Sequence, residues 1–282
     1  MSDCDGLQPA ERLWTPWRMS YLGGERPDPG CVFCRVQETD DDATALIVHR
    51  GEHAFVIMNL YPYNTGHLMV VPNDHRSDLA RLSPETRAEM AELTASFTTG
   101  LRQALRCEGF NTGMNLGDVA GAGIADHLHQ HIVPRWRGDA NFMPIVGSTK
   151  VLPELIPATY AKIRADVARQ KSGIDEVVLV AYDPAREHVL LDSGRLPRIE
   201  ARPGESSWPA ALAWLRSRVA TADLIGWAGP PSTAADASTA PALAMGVTPG
   251  EAPMVSVAVA LSSLPTEDRE ALEASLNRRS SH

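Results

Sequence analysis

No stretch of about eighteen consecutive apolar residues occurs in the 282-residue chain, which leaves no candidate for a membrane-spanning helix. Basic residues are also in deficit: 26 Lys and Arg stand against 35 Asp and Glu, a formal charge of -9. Broad binding to nucleic acid or to an anionic membrane depends on many cationic contacts, so neither is expected as a partner. An anionic small molecule would have to be held by local donors instead. Cysteine is limited to four residues, too few and too unevenly placed for a secreted disulfide framework. Residues 1–12 are polar and acidic, without the charged-then-apolar pattern of a signal peptide, so the expected location is cytoplasmic.

The composition that remains, 44% apolar and 22% charged, is ordinary for a globular chain, and the length suffices for two modest domains or one large one. Short β-type bursts occur at residues 45–48, 54–58 and 67–71, separated by Gly, Asn and Pro, and predict a small antiparallel meander. Ser83-Pro84-Glu85 supplies an N-cap with proline at the first helical position, and Met90, Leu93, Phe97, Leu101 and Leu105 then recur at helical spacing. Two more strands are expected at 109–116 and 127–134, joined by a glycine-bearing loop at 117–126. A helix at 153–170 completes an α+β unit, 1–172, and Lys171-Ser172-Gly173 reads as a junction. In a smaller α+β unit, 173–282, strands are expected at 177–182, 188–191 and 255–261, with helices at 206–219 and 267–277. The Pro-, Ala-, Ser- and Thr-rich stretch 229–253 has the composition of a mobile loop. No internal repeat is visible.

Chemistry concentrates in His127-Leu128-His129-Gln130-His131-Ile132-Val133-Pro134. On an extended strand the alternating histidines project from one face, so three imidazoles share a surface. Imidazole can be neutral, and so nucleophilic, near pH 7, which suits attack on phosphorus. A single histidine would more often be a structural residue; three in alternation after a glycine-rich turn are not explained that way.

These residues resemble the histidine triad (HIT) family, and more closely its diadenosine tetraphosphate phosphorylase branch. The similarity also covers residues 13–22, the block 59–72 with Asn59 and His67, and the run from Asn115 through Pro134-Arg135-Trp136 to Phe142. The resemblance implies a HIT-like fold, an antiparallel sheet with helices, and catalysis by His129, His131 and His127. His129 would attack the α-phosphorus and hold the nucleotidyl group, its other nitrogen fixed by a backbone carbonyl near His127. His131 would bind phosphate oxygens or aid the leaving group. Asn59 matches the ribose-binding position. Asn115, Gly121, Ala122 and Gly123 match the phosphate loop, where glycine lets main-chain donors approach an anion, and Trp136 belongs to the same substrate-binding set. Ala122 and Gly123 lack the side-chain donor that some relatives have there, and Gln130 is polar where the family is usually apolar or aromatic. A homodimer is implied by the family alone.

Cys31 and Cys34, with His75 and His127, form a Cys2His2 set that resembles the zinc site of related histidine triad proteins, a closed structural type. The competing reading is two free thiols and a surface His75 beside Asp74. No organic cofactor is expected. Trp14, Trp17, Tyr61 and Tyr63 could stack on a base or pack in the core. In the second unit, 194–198 and 202–206 look like the approach to a Nudix box, yet Trp214-Leu215-Arg216-Ser217-Arg218 stands where clustered glutamates would hold magnesium. That implies a degenerate domain, or a plain accessory one.

Three activities follow as expectations. The first is a phosphorylase that converts diadenosine tetraphosphate and phosphate to ATP and ADP. The second is a dinucleoside polyphosphate or nucleoside phosphoramidate hydrolase using the same intermediate. The third is a nucleotide-binding sensor without turnover.

Overall fold

The computed structural model describes residues 30–139, 154–202, 205–230, 233, 239–250 and 252–278. The matched block 13–22, with Trp14 and Trp17, lies outside them, as do Cys4, Asn141 and Phe142. After a helix α1 (Val32–Gln37), Asp41 caps the short helix α2 (Asp42–Ala45) by accepting the Thr44 backbone N–H at 3.1 Å. The first strand therefore starts two residues later than its apolar run, as β1 (Ile47–Arg50), once Leu46 has turned the chain with φ 62°. Strands β2 (Ala54–Met58) and β3 (Leu68–Pro72) are buried along their whole length, which is why they read as continuous apolar runs rather than as alternation.

Helix α3 (Pro84–Leu105) begins where Ser83 accepts the Thr86 N–H at 3.0 Å and ends at left-handed Arg106; Met90, Leu93, Phe97 and Leu101 are buried. Strands β4 (Gly109–Met114) and β5 (Gln130–Arg135) complete an antiparallel sheet of order β1-β2-β3-β5-β4. Its two faces are chemically different. Val56, Met58, Leu68, Val70 and Ile132 enter the main core under α3, whereas Phe55, Ile57, Met69 and Val71 join Phe33 of α1 on the other side. The register pairs Met69 with His131, so the second face is the one that carries the triad.

Helix α4 (Ile156–Ser172) ends at Gly173, φ 68°. Beyond it lie β6 (Glu176–Tyr182), β7 (His188–Leu190), β8 (Arg198–Glu200), α5 (Ser207–Arg216), β9 (Thr221–Trp227), β10 (Ala242–Thr248), β11 (Met254–Ser256), α6 (Val257–Ser263) and α7 (Thr266–Asn277). The second sheet runs β11-β7-β6-β10-β9, with β8 also on β6, and is mixed because β10 lies parallel to β6. Thus the stretch 229–253 is not simply a loop: it contributes the buried strand β10 between β6 and β9. Alanine, glycine and proline lend it loop-like composition, but small side chains are also what a strand buried among neighbours accommodates. Residues 255–261 differ too, since Ser256 accepts the Val259 N–H and starts α6 after three strand residues.

Helix α4 joins the two layers: it packs on β9 of the second sheet and on α3 and β1 of the first, and one apolar cluster runs from Val48 and Met90 to Leu179 and Leu243. Helix α5 contains no carboxylate, so it cannot hold magnesium as a Nudix helix does. It faces the first layer instead, where Trp208 Nε1 donates to the Ala104 carbonyl at 3.0 Å. Among the described residues no helix is long and apolar enough to cross a membrane.

Candidate functional site

Gly66 sets the geometry at the start of β3. Its φ is +74°, a conformation that favours glycine, and a Cβ there would also displace the end of the Leu105 side chain, 2.3 Å away. The turn delivers His67 immediately before β3, beside β5. The last triad residue, His131, lies on β5 itself, while His127 and His129 approach along the preceding extended segment.

Each ring is oriented by a backbone group or another ring. His129, 5% exposed, donates Nδ1–H to the His127 carbonyl at 2.9 Å. Its Nε2 therefore carries the lone pair. Burial pushes the His129 pKa down, against a smaller upward pull from that hydrogen bond, and keeps the ring neutral. His127 donates Nε2–H to the Pro72 carbonyl at 2.9 Å and turns Nδ1 toward Cys31 and Cys34. Phe33 sits against both rings, with centroids 5.4 Å from His127 and 5.3 Å from His129.

His131 is set by a longer chain. The Tyr63 N–H donates to His67 Nδ1 at 3.0 Å, so the His67 proton resides on Nε2, 2.9 Å from His131 Nδ1. His131 must then carry its own proton on Nε2, which makes that edge of the ring a hydrogen-bond donor. Asn59 belongs to this network: Nδ2 lies 3.3 Å from His67 Nδ1 and Oδ1 accepts the Tyr61 N–H at 2.9 Å. Sequence reasoning quoted His67 within a matching block but gave it no role. A histidine directly after a turn glycine and before an apolar strand was the available signal.

The remaining expected residues fall into three groups. Asn115 donates to the Gly121 carbonyl at 3.3 Å and ties down a loop in which Gly117 and Gly121 both have φ 83°. Ala122 is buried and Gly123 half-buried in the same loop. Cys31, Cys34, His75 and His127 come together, their ligand atoms all within 4.8 Å of one another. The sulfur–nitrogen separations are 3.3 Å for Cys31 to His127, 3.6 Å for Cys34 to His127 and 3.2 Å for Cys34 to His75. Four such donors can hold a metal ion. Trp136 goes elsewhere: its ring packs against the main core, which contains Ile132, and not with the triad face. Successive residues along an extended chain point to opposite sides, and Trp136, the residue after β5, has the parity of Ile132 rather than of His131.

Beyond His131 the same face continues through Val133 to Arg135, paired by register with Gly113, Asn111 and Gly109 of β4. Arg135 grips Asp139 through Nε and Nη2, both at 2.7 Å, and holds Asn111 Oδ1 at 2.7 Å through Nη1. Those bonds bring the Asp139 pKa down to about 2. Asn64 donates to the Pro134 carbonyl and to Asp139, drawing the β2–β3 loop over the end of β5.

Comparison with known proteins gives a consistent picture. The family model described as "HIT domain" matches residues 41–138. The AP-4-A phosphorylase of Mycobacterium tuberculosis is 42% identical over 169 residues, covering 57% of this chain and 86% of that protein. The adenosine 5'-monophosphoramidase of Schizosaccharomyces pombe is 30% identical over 105 residues, covering 37% and 74%. Among solved structures, a Zn-bound histidine triad family protein from Mycobacterium smegmatis is 30% identical with a TM-score of 0.42, covering 51% of this chain and 98% of that one.

Proposed function

This chain belongs to the histidine triad (HIT) family, and on that basis we propose that it is a nucleotidyltransferase of diadenosine tetraphosphate phosphorylase type. The observation that carries the reading is the His129 ring, buried, neutral and held through Nδ1, with the Nε2 lone pair available to phosphorus. Its likeness to the AP-4-A phosphorylase of Mycobacterium tuberculosis supports the substrate class.

In the first step His129 Nε2 attacks one α-phosphorus in line. The bond between that phosphorus and the bridging oxygen to the β-phosphate breaks, and the oxygen keeps the electron pair, so ATP departs. AMP stays on His129. In the second step an oxygen of inorganic phosphate attacks the same phosphorus, the N–P bond breaks with its electrons returning to His129, and ADP forms. His131, with its proton on Nε2, steadies the phosphate oxygens and the departing oxygen. Asn59 takes the ribose hydroxyls with the acceptor capacity that Tyr61 leaves on Oδ1. Asn115 and the Gly121 turn, whose N–H donates to the Asp118 carbonyl at 2.8 Å, shape the loop in which the backbone N–H groups of Ala122 and Gly123 would face the phosphates without adding positive charge. His127 orients the nucleophile through its carbonyl.

The metal is zinc in this reading. A tetrahedral zinc with ordinary Zn–S and Zn–N lengths sets sulfur–nitrogen separations of about 3.6 Å, and the observed distances of 3.2–3.6 Å fit that set. Two thiolates and two imidazoles close the shell, so zinc would supply structure: it ties α1 to the segment carrying His127. A cytoplasmic location and assembly as a homodimer belong to the same proposal.

Incubation of the purified protein with diadenosine tetraphosphate, with and without phosphate, tests it. Phosphate-dependent ATP plus ADP is expected. ATP plus AMP without phosphate would make the protein a hydrolase, and tight binding without turnover would make it a sensor.

A further inference from the structure

Helix α1 brings three side chains to the catalytic rings. Cys31, its N-cap, and Cys34 approach His127 Nδ1, while Phe33 between them packs on both His127 and His129. The helix has six residues, a length of about 9 Å, which is too short to be stable without outside support. The thiols reach His127 from its first turn, and a rod held at one end pivots. Its last carbonyls also need donors.

Arg50, the last residue of β1, supplies them. Its guanidinium donates to the carbonyls of Val36 at 3.3 Å, Gln37 at 2.9 Å and Thr39 at 2.9 Å, where the cation also meets the negative end of the helix. Asp42 aims that guanidinium: Oδ1 accepts Arg50 Nε at 2.8 Å and lies 2.7 Å from Nη2. Asp42 is 1% exposed, and a carboxylate so enclosed needs donors on both oxygens. The donor to Oδ2 comes from the second unit. It is the backbone N–H of buried Thr233, 2.7 Å away and 191 residues distant in sequence.

We propose that Asp42 is a positioning residue through which the second unit fixes α1, and with it the ring of His129; the inference rests on the role given to His129 above. The path runs from the Thr233 N–H through Asp42 and Arg50 to the end of α1, and from Phe33 to the nucleophile. Gln37 adds a weaker tie at the same end, Nε2 to the Asn73 carbonyl at 3.3 Å. In-line attack tolerates little misalignment, since a displacement of about 1 Å can cost about 100-fold in rate.

Three variants of the full chain test this with diadenosine tetraphosphate and phosphate. Asp42→Asn discharges the carboxylate, Thr233→Pro deletes the N–H, and Thr233→Ala keeps it. The first two should lower kcat about tenfold with KM changed less than about twofold, and Thr233→Ala should behave as the wild type. Amide hydrogen exchange of residues 32–37 should quicken in the same two variants while that of α3 does not. A lower melting temperature with wild-type kcat and wild-type exchange in 32–37 overturns the proposal, because Asp42 would then support the fold alone. A rise in KM at constant kcat also overturns it. If the unmutated protein does not turn over the dinucleotide, the proposed activity fails, and the proton resonance of His129 Nδ1–H, identified by its loss in His129→Ala, decides the positioning. A shift of that resonance in both Asp42→Asn and Thr233→Pro upholds it; an unchanged resonance rejects it.

Discussion

His67 Nε2 and His131 Nδ1 stand 2.9 Å apart, and that contact fixes which edge of His131 carries a proton. The direction of the bond comes from the Tyr63 backbone N–H on the far nitrogen of His67, a group that cannot be anything but a donor. A main-chain amide therefore determines, through two rings, which edge of His131 is a donor.

Replacing His67 by Ala removes this constraint. The expected loss in kcat is about tenfold, the worth of one ordered hydrogen bond expressed in a transition state, with KM changed much less. Steady-state kinetics of His67→Ala and His67→Gln decide it. A wild-type kcat in both would show that His131 does not depend on its neighbour.

In the proposed mechanism His129→Ala takes away the nucleophile. Turnover should fall by on the order of 10³-fold or more while nucleotide binding persists. Mass spectrometry of protein quenched during turnover should find the nucleotidyl adduct on His129 in the wild type. An adduct on any other side chain refutes the assignment.

Cys34→Ser breaks a four-ligand shell in which the sulfur lies 3.2 Å from His75 and 3.6 Å from His127. Metal content measured by elemental analysis should drop from stoichiometric to a small fraction, and the melting temperature should fall with it, because binding energy of a structural site is folding energy. Equal metal content in both proteins would place the ion elsewhere.

His49 predicts a pH dependence of stability. Burial first, then the charges of Lys171 and Arg164 against the opposing pull of Glu89, bring its pKa down to about 4. In the unfolded chain the ring titrates near 6.5, so below that pH the unfolded state takes up a proton that the folded state refuses. Stability from this group is intact above pH 6.5 and declines as pH falls toward 4. Partial exposure reduces the effect, and the wild type should lose about 2 kcal/mol more than His49→Gln between pH 7 and about 4.5. Denaturant unfolding at the two pH values measures the difference; parallel losses would mean that His49 is protonated in the fold.

The catalytic half was legible because its signals are local. Alternation placed His127, His129 and His131 on one side, and the Ser83 cap and apolar spacing located α3 to within a residue. The Cys2His2 grouping rested on the short Cys31–Cys34 spacing and on the resemblance to related zinc sites, and the structure brings the four donors together. Trp136, one residue past β5, packs against the main core, a placement that its nearness to the triad in sequence does not reveal. His67 gained its importance only from a partner 64 residues away, which no window reveals. In the second unit β10 was hidden by its own composition: Ala242, Ala244 and Gly246 suit a strand packed among neighbours, yet as letters they resemble a linker. The strands β8 and β9 were missed for a related reason, since Arg198 and Glu200, or Thr221 and Asp223, give no apolar burst.

The joining helix α4 has one more implication. It encloses Lys162, Arg164, Asp166 and Arg169 among the residues it buries, polar groups that tolerate shielding from water only while both layers cover them. The sheet bearing the triad thus rests on a support whose far side is supplied by the other sheet. Loosening of β9 or β10 would wet those charges and unsettle the ground beneath β1, so damage far from any histidine would register as lost chemistry.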